Sequence, residues 1–352
     1  LKLENIDLNN IICIEPFVRF EILKDGGFFC CPSWLNEKIL WENNSLKDTW
    51  FGENAQEIRK SITDGSYKYC SIENCRYLNK LVKKKEIQYP FYSKRFLPDD
   101  IIFENDEYKP LHTPSFINFN FDNSCNFKCP SCRKELMMNK VSSNNIIESI
   151  DNDFSRYIKK INVAGGGDPF ASPSYLKFLR NFDPKKYENL ELITLHTNGS
   201  LWTEKMWNTV PNIHPYVKKC EISIDAGTRY TYENIIRING NWDKLIKNLK
   251  FIKTIETIEK VIVSFVVQQQ NYHEMMIFAD TMKEILGRKC GLYFSKIVNW
   301  GTYADEEFTK LKIWDSNHPE YQKFIDELIK VKNKHFIDHN MYELVGSNTK
   351  LV

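Results

Sequence analysis

Asn118 to Leu136 reads "NFNFDNSCNFKCPSCRKEL", and Cys125, Cys129 and Cys132 fall close together just after a short alternating run. Three uses of such a cluster compete: a zinc knuckle, a redox dithiol with a bystander, or a cradle for an iron–sulfur cluster. Structural zinc takes four ligands, usually two C-x2-C-like pairs or one pair plus histidines at helix spacing. Here the spacing is C-x3-C-x2-C with no adjacent fourth ligand, and His112 lies upstream beyond an expected strand. A thioredoxin-type pair could use Cys129 and Cys132, but it leaves Cys125 unused and lacks the expected surroundings. Three thiolates instead suit a cubic [4Fe–4S] cluster whose fourth iron stays open to a substrate or cofactor.

The rest of the chain sets the context. Its 352 residues suggest one large or two moderate domains, and 42% hydrophobic and 14% aromatic content can bury a substantial core. Basic and acidic side chains, 48 against 46, nearly cancel, so no long-range field recruits nucleic acid or anionic lipid. No apolar run is long enough to span a bilayer and no signal peptide is visible. The expectation is a soluble cytoplasmic protein with neither a nucleic-acid nor a membrane partner. Ten cysteines in a reducing compartment point to metal binding or redox chemistry rather than disulfides. Cys220 and Cys290 stand apart at the starts of expected strands, where core packing accounts for them.

From residue 116 onward, strand-like runs alternate with amphipathic stretches. "SFINFNF" leads through the cysteine loop to a helix expected over "KELMMNK". "KKINVAGGG", "LELITLHTNGS", "VKKCEISIDAG" and "KVIVSFVVQQQ" each precede a helical stretch, and "CGLYFSKIVNW" closes the series. Six βα-like repeats predict an α/β fold with a parallel barrel or doubly wound sheet. In such folds chemistry gathers at the C-terminal ends of the strands, where "GGGDP", "HTNGS", "SIDAG" and "QQQN" all sit. The first 80 residues differ. "FVRFEILKDGGFFCCPSWL" reads as two strands joined by a "KDGG" turn, and "SLKDTWFGENAQEIRKSITDG" as one helix from a Ser cap to Gly65. The basic "KLVKKKEIQYPFYSKRF" reads as a solvated connection, and "NHPEYQKFIDELIKVKNK" as an amphipathic helix packed on the barrel. The expected divisions are residues 1–95, a linker over 96–115, a barrel over 116–305 and a helical segment over 306–352.

At the cysteine loop the chain resembles the radical S-adenosylmethionine superfamily, whose hallmark is C-x3-C-x2-C after the first strand of a partial (β/α)6 barrel. The resemblance implies that Cys125, Cys129 and Cys132 hold three irons of a [4Fe–4S] cluster. It also implies that the fourth iron takes the amino and carboxylate groups of S-adenosylmethionine. One electron, from a reductant such as flavodoxin or ferredoxin, would then cleave the sulfonium and yield a 5′-deoxyadenosyl radical that removes a substrate hydrogen atom. Ser131 stands where the family usually has an aromatic residue near the adenine, and Phe127 is the candidate replacement. Gly165, Gly166, Gly167 and Asp168 occupy the place of a Gly-Gly-Glu type segment, where a Cβ would block approach to the methionine amino group. By the same likeness Thr197 and Asn198, followed by Gly199, match a family segment, and Ser223 and Asp225 lie near the ribose and methionine. Arg237 either binds the methionine carboxylate or pairs with a helix neighbour such as Glu233. Gln268 and Asn271 either contact the nucleoside or cap a turn.

Cys13, Gly26 and Cys31 form C-x12-G-x4-C, followed by Cys70 and Cys75. Four thiolates could saturate a zinc or a second [4Fe–4S] cluster, and spacing does not choose between them. The surrounding text resembles the SPASM or twitch auxiliary-cluster domain, shortened to one cluster and placed before the barrel rather than after it. Cys31 fits the glycine spacing, and Cys30 reads as a buried neighbour. The resemblance implies an oxygen-sensitive radical S-adenosylmethionine oxidoreductase or maturase with an N-terminal α+β auxiliary domain. Its expected substrate is a peptide or protein that is oxidised, crosslinked or epimerised, with a sugar or aminocyclitol as the alternative. A non-enzymatic zinc- or cluster-binding module is the competing class. Trp300 and Tyr293, near the end of the last strand, are candidates to line the pocket.

Overall fold

The computed structural model describes residues 8–29, 39–40, 45–71, 75–84, 87–98, 103–104, 109–139, 143–163 and 165–337. They belong to two compact units. One comprises Leu1–Asp122, Ser142–Gly165 and Asp183–Leu192; the other comprises Asn123–Val141, Gly166–Phe182 and Ile193–Val352.

In the first unit, β1 (Ile11–Cys13) and the one-turn α1 (Glu15–Val18) lead into β2 (Arg19–Leu23), β3 (Gly26–Phe29) and β4 (Ile39–Leu40). β2, β3 and β4 run antiparallel in succession, so the "KDGG" hairpin forms as the sequence predicts. α2 (Leu46–Phe51) starts at Ser45, whose hydroxyl accepts the Asp48 N–H at 3.2 Å. The single helix expected from Ser45 to Gly65 is broken: Gly52 is extended, with ψ 170°, and α3 (Glu53–Thr63) restarts from it. Glycine's high backbone freedom makes it a poor residue for a helix interior, which is why the break falls there. α4 (Arg76–Lys84) and β5 (Phe91–Ser93) follow, and β5 pairs antiparallel with β1. A small ladder of β6 (Phe103–Glu104) and β7 (Lys109–Pro110) precedes β8 (Phe116–Asn120), α5 (Asn144–Ser149) and β9 (Lys160–Val163).

β8 pairs in parallel with β9 on one side and, unexpectedly, with β2 on the other. The register aligns Phe20 with Ile117 and Ile161, and Ile22 with Phe119 and Val163, a face that is wholly buried. Phe20 packs there against Trp50 and Phe154, with ring centroids 5.9 and 6.1 Å apart. The opposite face is polar. Glu21, Asn118 and Asn162 stand in one row, Asn162 Nδ2 donates to Asn118 Oδ1 at 2.7 Å, and Asn120 Nδ2 donates to Glu21 Oε1 at 2.7 Å. Strand alternation with an apolar face on helices and a polar face turned away is the arrangement of a barrel wall.

The second unit holds four parallel strands in sequence order: β10 (Leu192–Thr197), β11 (Lys219–Ser223), β12 (Lys260–Val267) and β13 (Cys290–Lys296). Leu195, Cys220, Val261 and Cys290 form one buried row across them, so both isolated cysteines are core residues. Its helices are α6 (Pro173–Asn181), α7 (Glu204–Trp207), α8 (Arg229–Thr231), α9 (Trp242–Thr254), α10 (Met275–Leu286), α11 (Asp305–Leu311) and α12 (Tyr321–Lys334). Ser172, Thr203, Thr228 and Asn241 cap four of them by accepting N–H groups of the first turn. α12 lies against α10, where Lys334 and His335 both reach Asp280, at 2.8 and 2.7 Å. All six strands expected from residue 116 onward therefore form, as β8 to β13, parallel to their sequence neighbours within each unit and alternating with helices in the expected α/β pattern. Among the described residues, no helix is long and apolar enough to cross a membrane.

Candidate active site at the cysteine loop

The loop that carries the three cysteines closes on itself. The helix expected over "KELMMNK" is absent. Instead the Cys125 N–H donates to Met137 O at 2.9 Å and the Asn139 N–H to Ser124 Oγ at 2.8 Å. Residues 134–139 are exposed, so no apolar face there demands a helix; the loop's own hydrogen bonds decide its path. The Cys132 and Arg133 N–H groups both donate to Cys129 O, at 2.9 and 3.0 Å. Cys125 and Cys129 are buried and Cys132 is exposed.

Each sulfur receives a side-chain N–H from a different residue. Asn198 Nδ2 donates to Cys125 Sγ at 3.7 Å, Arg237 Nη1 to Cys129 Sγ at 3.4 Å, and Arg133 Nη2 to Cys132 Sγ at 3.5 Å. Burial pushes the Cys125 and Cys129 thiols up; Asp168 pushes Cys125 further, while Arg133 opposes at Cys125 and Arg237 at Cys129. Among the described residues, no three His, Cys, Asp or Glu side chains converge as tightly as a single metal ion requires. A cubane makes no such demand, because each thiolate binds a different iron. Three sulfurs, each facing a side-chain N–H and two of those N–H groups cationic, suit an anionic cluster's thiolate ligands.

The glycine segment and Asp168 are built into the same scaffold. Gly165 has φ +96°, and a Cβ on it would fall 2.5 Å from Asn120 Oδ1. The positive φ and the Phe119 O that would lie 2.8 Å from that Cβ require glycine at 165, while a Cβ on Gly166 would fall 2.2 Å from Asn123 Oδ1 and push that side chain aside. Gly167 is half-buried. Asp168, expected to face the cofactor, is 2% exposed with both carboxylate oxygens engaged. Oδ1 accepts the Phe170 N–H at 3.0 Å; Oδ2 accepts the Thr197 hydroxyl at 2.7 Å and the Asn198 N–H at 2.9 Å. Its own N–H donates to Ser124 O at 2.8 Å. Asp168 thus ties the glycine segment, the cysteine loop and the end of β10 together. Asp168→Ala should cost about 3 kcal/mol, because three donors lose a buried ionic acceptor. The urea midpoint checks this, and a loss below about 1 kcal/mol would mean that water replaces the carboxylate.

The ends of β11 and β12 bring the remaining candidates together. Asp225, at φ +61°, accepts the Val266 N–H at 2.7 Å and pairs with Arg237. Arg237 therefore pairs with Asp225 rather than with Glu233, which accepts the Trp242 N–H at 2.7 Å. Asn271 caps the turn after β12: its Nδ2 donates to Asp225 O at 2.8 Å and its Oδ1 accepts the Gln268 N–H at 2.9 Å. Gln268 Oε1 is buried with no hydrogen-bond partner among the described residues, an acceptor that a bound nucleoside could satisfy. Ser223 Oγ lies 2.8 Å from His196 Nε2, which is 3.6 Å from Glu221, and it accepts from Ser264 Oγ at 3.3 Å. Phe127 is 1% exposed and meets Tyr232 edge to face, so it packs the scaffold and presents no open ring. Trp300 is exposed and Tyr293 half-buried, in register with Ser264.

Arg133, His196, Glu221 and Ser264 were missed in the sequence. An arginine beside a lysine reads as a solvated charge, His196 and Glu221 fall on the half-buried positions of the regularly alternating β10 and β11, and Ser264 lies buried within the apolar run of β12. In the first unit, Cys13, Cys70 and Cys75 pack against one apolar cluster that includes Ile12, Tyr67 and Phe91. Cys31, the expected fourth ligand, and Cys30 lie outside the described residues.

Residues 119–282 match the family described as the Radical SAM superfamily. No curated protein sequence matches the chain. Among solved structures it is similar to Streptococcus suis SuiB bound to the precursor peptide SuiA, at 14% identity and a TM-score of 0.43, over 92% of this chain and 70% of that one. TYW1 with a lysine-pyruvate adduct bound is similar at 14% identity and 0.39, over 66% of this chain and 75% of that one. For anSMEcpe with bound AdoMet and Cp18Cys peptide the values are 16% and 0.37, over 64% and 67%. At these scores the structural likenesses decide nothing about substrate. The family match and the three-cysteine loop, whose sulfurs each take a side-chain N–H, agree on the same segment: residues 119–282 of the chain's 352 are those similar to the Radical SAM superfamily.

Proposed function

We propose that this chain uses Cys125, Cys129 and Cys132 to hold a [4Fe–4S] cluster that binds S-adenosylmethionine, and that it modifies a peptide or protein by oxidation, crosslinking or epimerisation. The observation that carries the cluster reading is the set of N–H donors on the three sulfurs, from Asn198, Arg237 and Arg133. When bound, the cluster and S-adenosylmethionine supply one-electron cleavage of the sulfonium and a radical able to take a hydrogen atom from an unactivated carbon. The chain's own residues set the stage for that. Asp168 fixes the glycine segment against the cysteine loop, Asp225 and Arg237 lock the loop after β11, and Gln268 offers a buried acceptor.

Peptide is favoured by the surface beside the cluster ligands. Leu136, Met137 and Met138, four to six residues past Cys132, are 51%, 42% and 50% exposed. Adjacent exposed methionines and leucine suit apolar side chains of a peptide better than the hydroxyls of a sugar. The polar row of His196, Glu221, Ser223 and Ser264 favours the second reading, a sugar or aminocyclitol. We place an auxiliary cluster on Cys13, Cys31, Cys70 and Cys75 within residues 1–95, ahead of a barrel over 116–305. The support is the gathering of Cys13, Cys70 and Cys75 on one apolar cluster.

Anaerobic reconstitution tests the reading. The expected result is about eight irons per chain, or about four without the auxiliary site, and release of 5′-deoxyadenosine when a reductant is added. A chain that binds zinc alone and leaves S-adenosylmethionine intact would overturn it.

A further inference from the structure

Arg133 directly follows the third cysteine, and its side chain is 9% exposed. Its guanidinium joins three pieces of backbone and side chain. Nη1 donates to Asn123 O at 2.8 Å, while Nη2 donates to Gly166 O and to Cys132 Sγ. A planar fork can make such contacts at once; a lysine ammonium on its flexible stem cannot match that geometry.

The charge balance is as informative as the geometry. Arg237, the other cation that donates to a cysteine sulfur of this loop, is matched by Asp225. Among the described residues no carboxylate pairs with Arg133, and the group its guanidinium meets besides two backbone carbonyls is the Cys132 sulfur, 3.5 Å from Nη2. A buried cation needs a counter-charge, and here the cysteine sulfurs are the groups placed to provide it. They would do so as thiolates holding the proposed cluster. Reducing the cluster adds one negative charge in the same place, so a buried guanidinium favours the reduced form over the oxidised one.

We propose that Arg133 is a positioning residue that raises the reduction potential of the cluster and pins the glycine segment to the cysteine loop. The proposal rests on the cluster reading above, and its failure is separable from that of the reading. If the wild-type chain takes up no cluster, the functional reading falls. If it does, EPR-monitored potentiometric titration of the reconstituted full chain tests Arg133. In Arg133→Gln the midpoint potential should move to more negative values. Arg133→Lys, which keeps the charge and loses the fork, should move it in the same direction by less. Lys134→Gln removes an equal charge from an exposed neighbour and should leave the potential where it was. A wild-type potential in Arg133→Gln overturns the proposal. Should that variant not keep its cluster, Arg133→Lys decides: a wild-type potential there overturns it, and a lowered one supports it. Loss of the cluster from both variants with the fold intact also overturns it, since Arg133 would then serve assembly rather than potential.

Discussion

Replacing Cys125, Cys129 and Cys132 together by Ala is expected to remove about four irons per chain and to abolish release of 5′-deoxyadenosine. The loss should be complete, because no other residue among those described is placed to bind the open-sited cluster. It should also be a loss of chemistry rather than of fold. Cys132 is exposed, and Cys125 and Cys129 retain 9% and 5% exposure at the edge of the core. Removing one sulfur at each of the two buried positions costs about 1 kcal/mol apiece, well within the stability of a typical domain. Iron content, chromatographic detection of 5′-deoxyadenosine and a urea midpoint, measured on the same preparation, separate the two effects. Turnover that survives with the iron gone would refute the assignment of these cysteines.

The six strands from β8 to β13 were legible because each carries its own apolar alternation or run, and all but the last end in a polar or glycine-rich cluster. β2 was legible as a strand but not as a partner of β8. Parallel pairing joins Phe20 to Ile117 across most of a hundred residues, and no local signal encodes it. The cysteine spacing was legible for the same reason a motif ever is: three ligands on one short loop must sit at fixed offsets. What surrounds the sulfurs was not. Asn198, Arg237 and Arg133 come from three segments and meet only when the strand ends are assembled. Asp168 shows the limit most clearly. Its position after the glycines suggested a contact with the cofactor, whereas its carboxylate holds Thr197, Asn198 and Phe170. A short acid in a turn is as well suited to capping N–H groups as to binding a ligand, and only coordinates distinguish the two.

Breaking the Asp225–Arg237 pair should produce the largest stability loss. Their side chains are 4% and 11% exposed, so solvent screens the pair little. Arg237→Met leaves a buried carboxylate with the Val266 N–H but no cation, which is expected to cost about 3–5 kcal/mol. Asp225→Asn is milder. It keeps an acceptor for Val266, and asparagine tolerates the left-handed φ of +61° that Asp225 adopts. The double variant should recover most of the Arg237→Met loss, because no lone charge is then buried. The pH dependence follows from the same physics. Burial pushes the Asp225 carboxyl up, and Arg237 pulls it back down. Without Arg237 the folded carboxyl rises further above its unfolded value of about 3.9. A group raised in this way contributes stability below its unfolded pKa and loses it as pH rises through the folded one. Arg237→Met should therefore approach wild-type stability in acid and fall away toward neutrality, while the double variant should lack that slope. Urea midpoints across this range decide it. Parallel pH profiles for Arg237→Met and the double variant would show that Asp225 is not the charge that Arg237 stabilises.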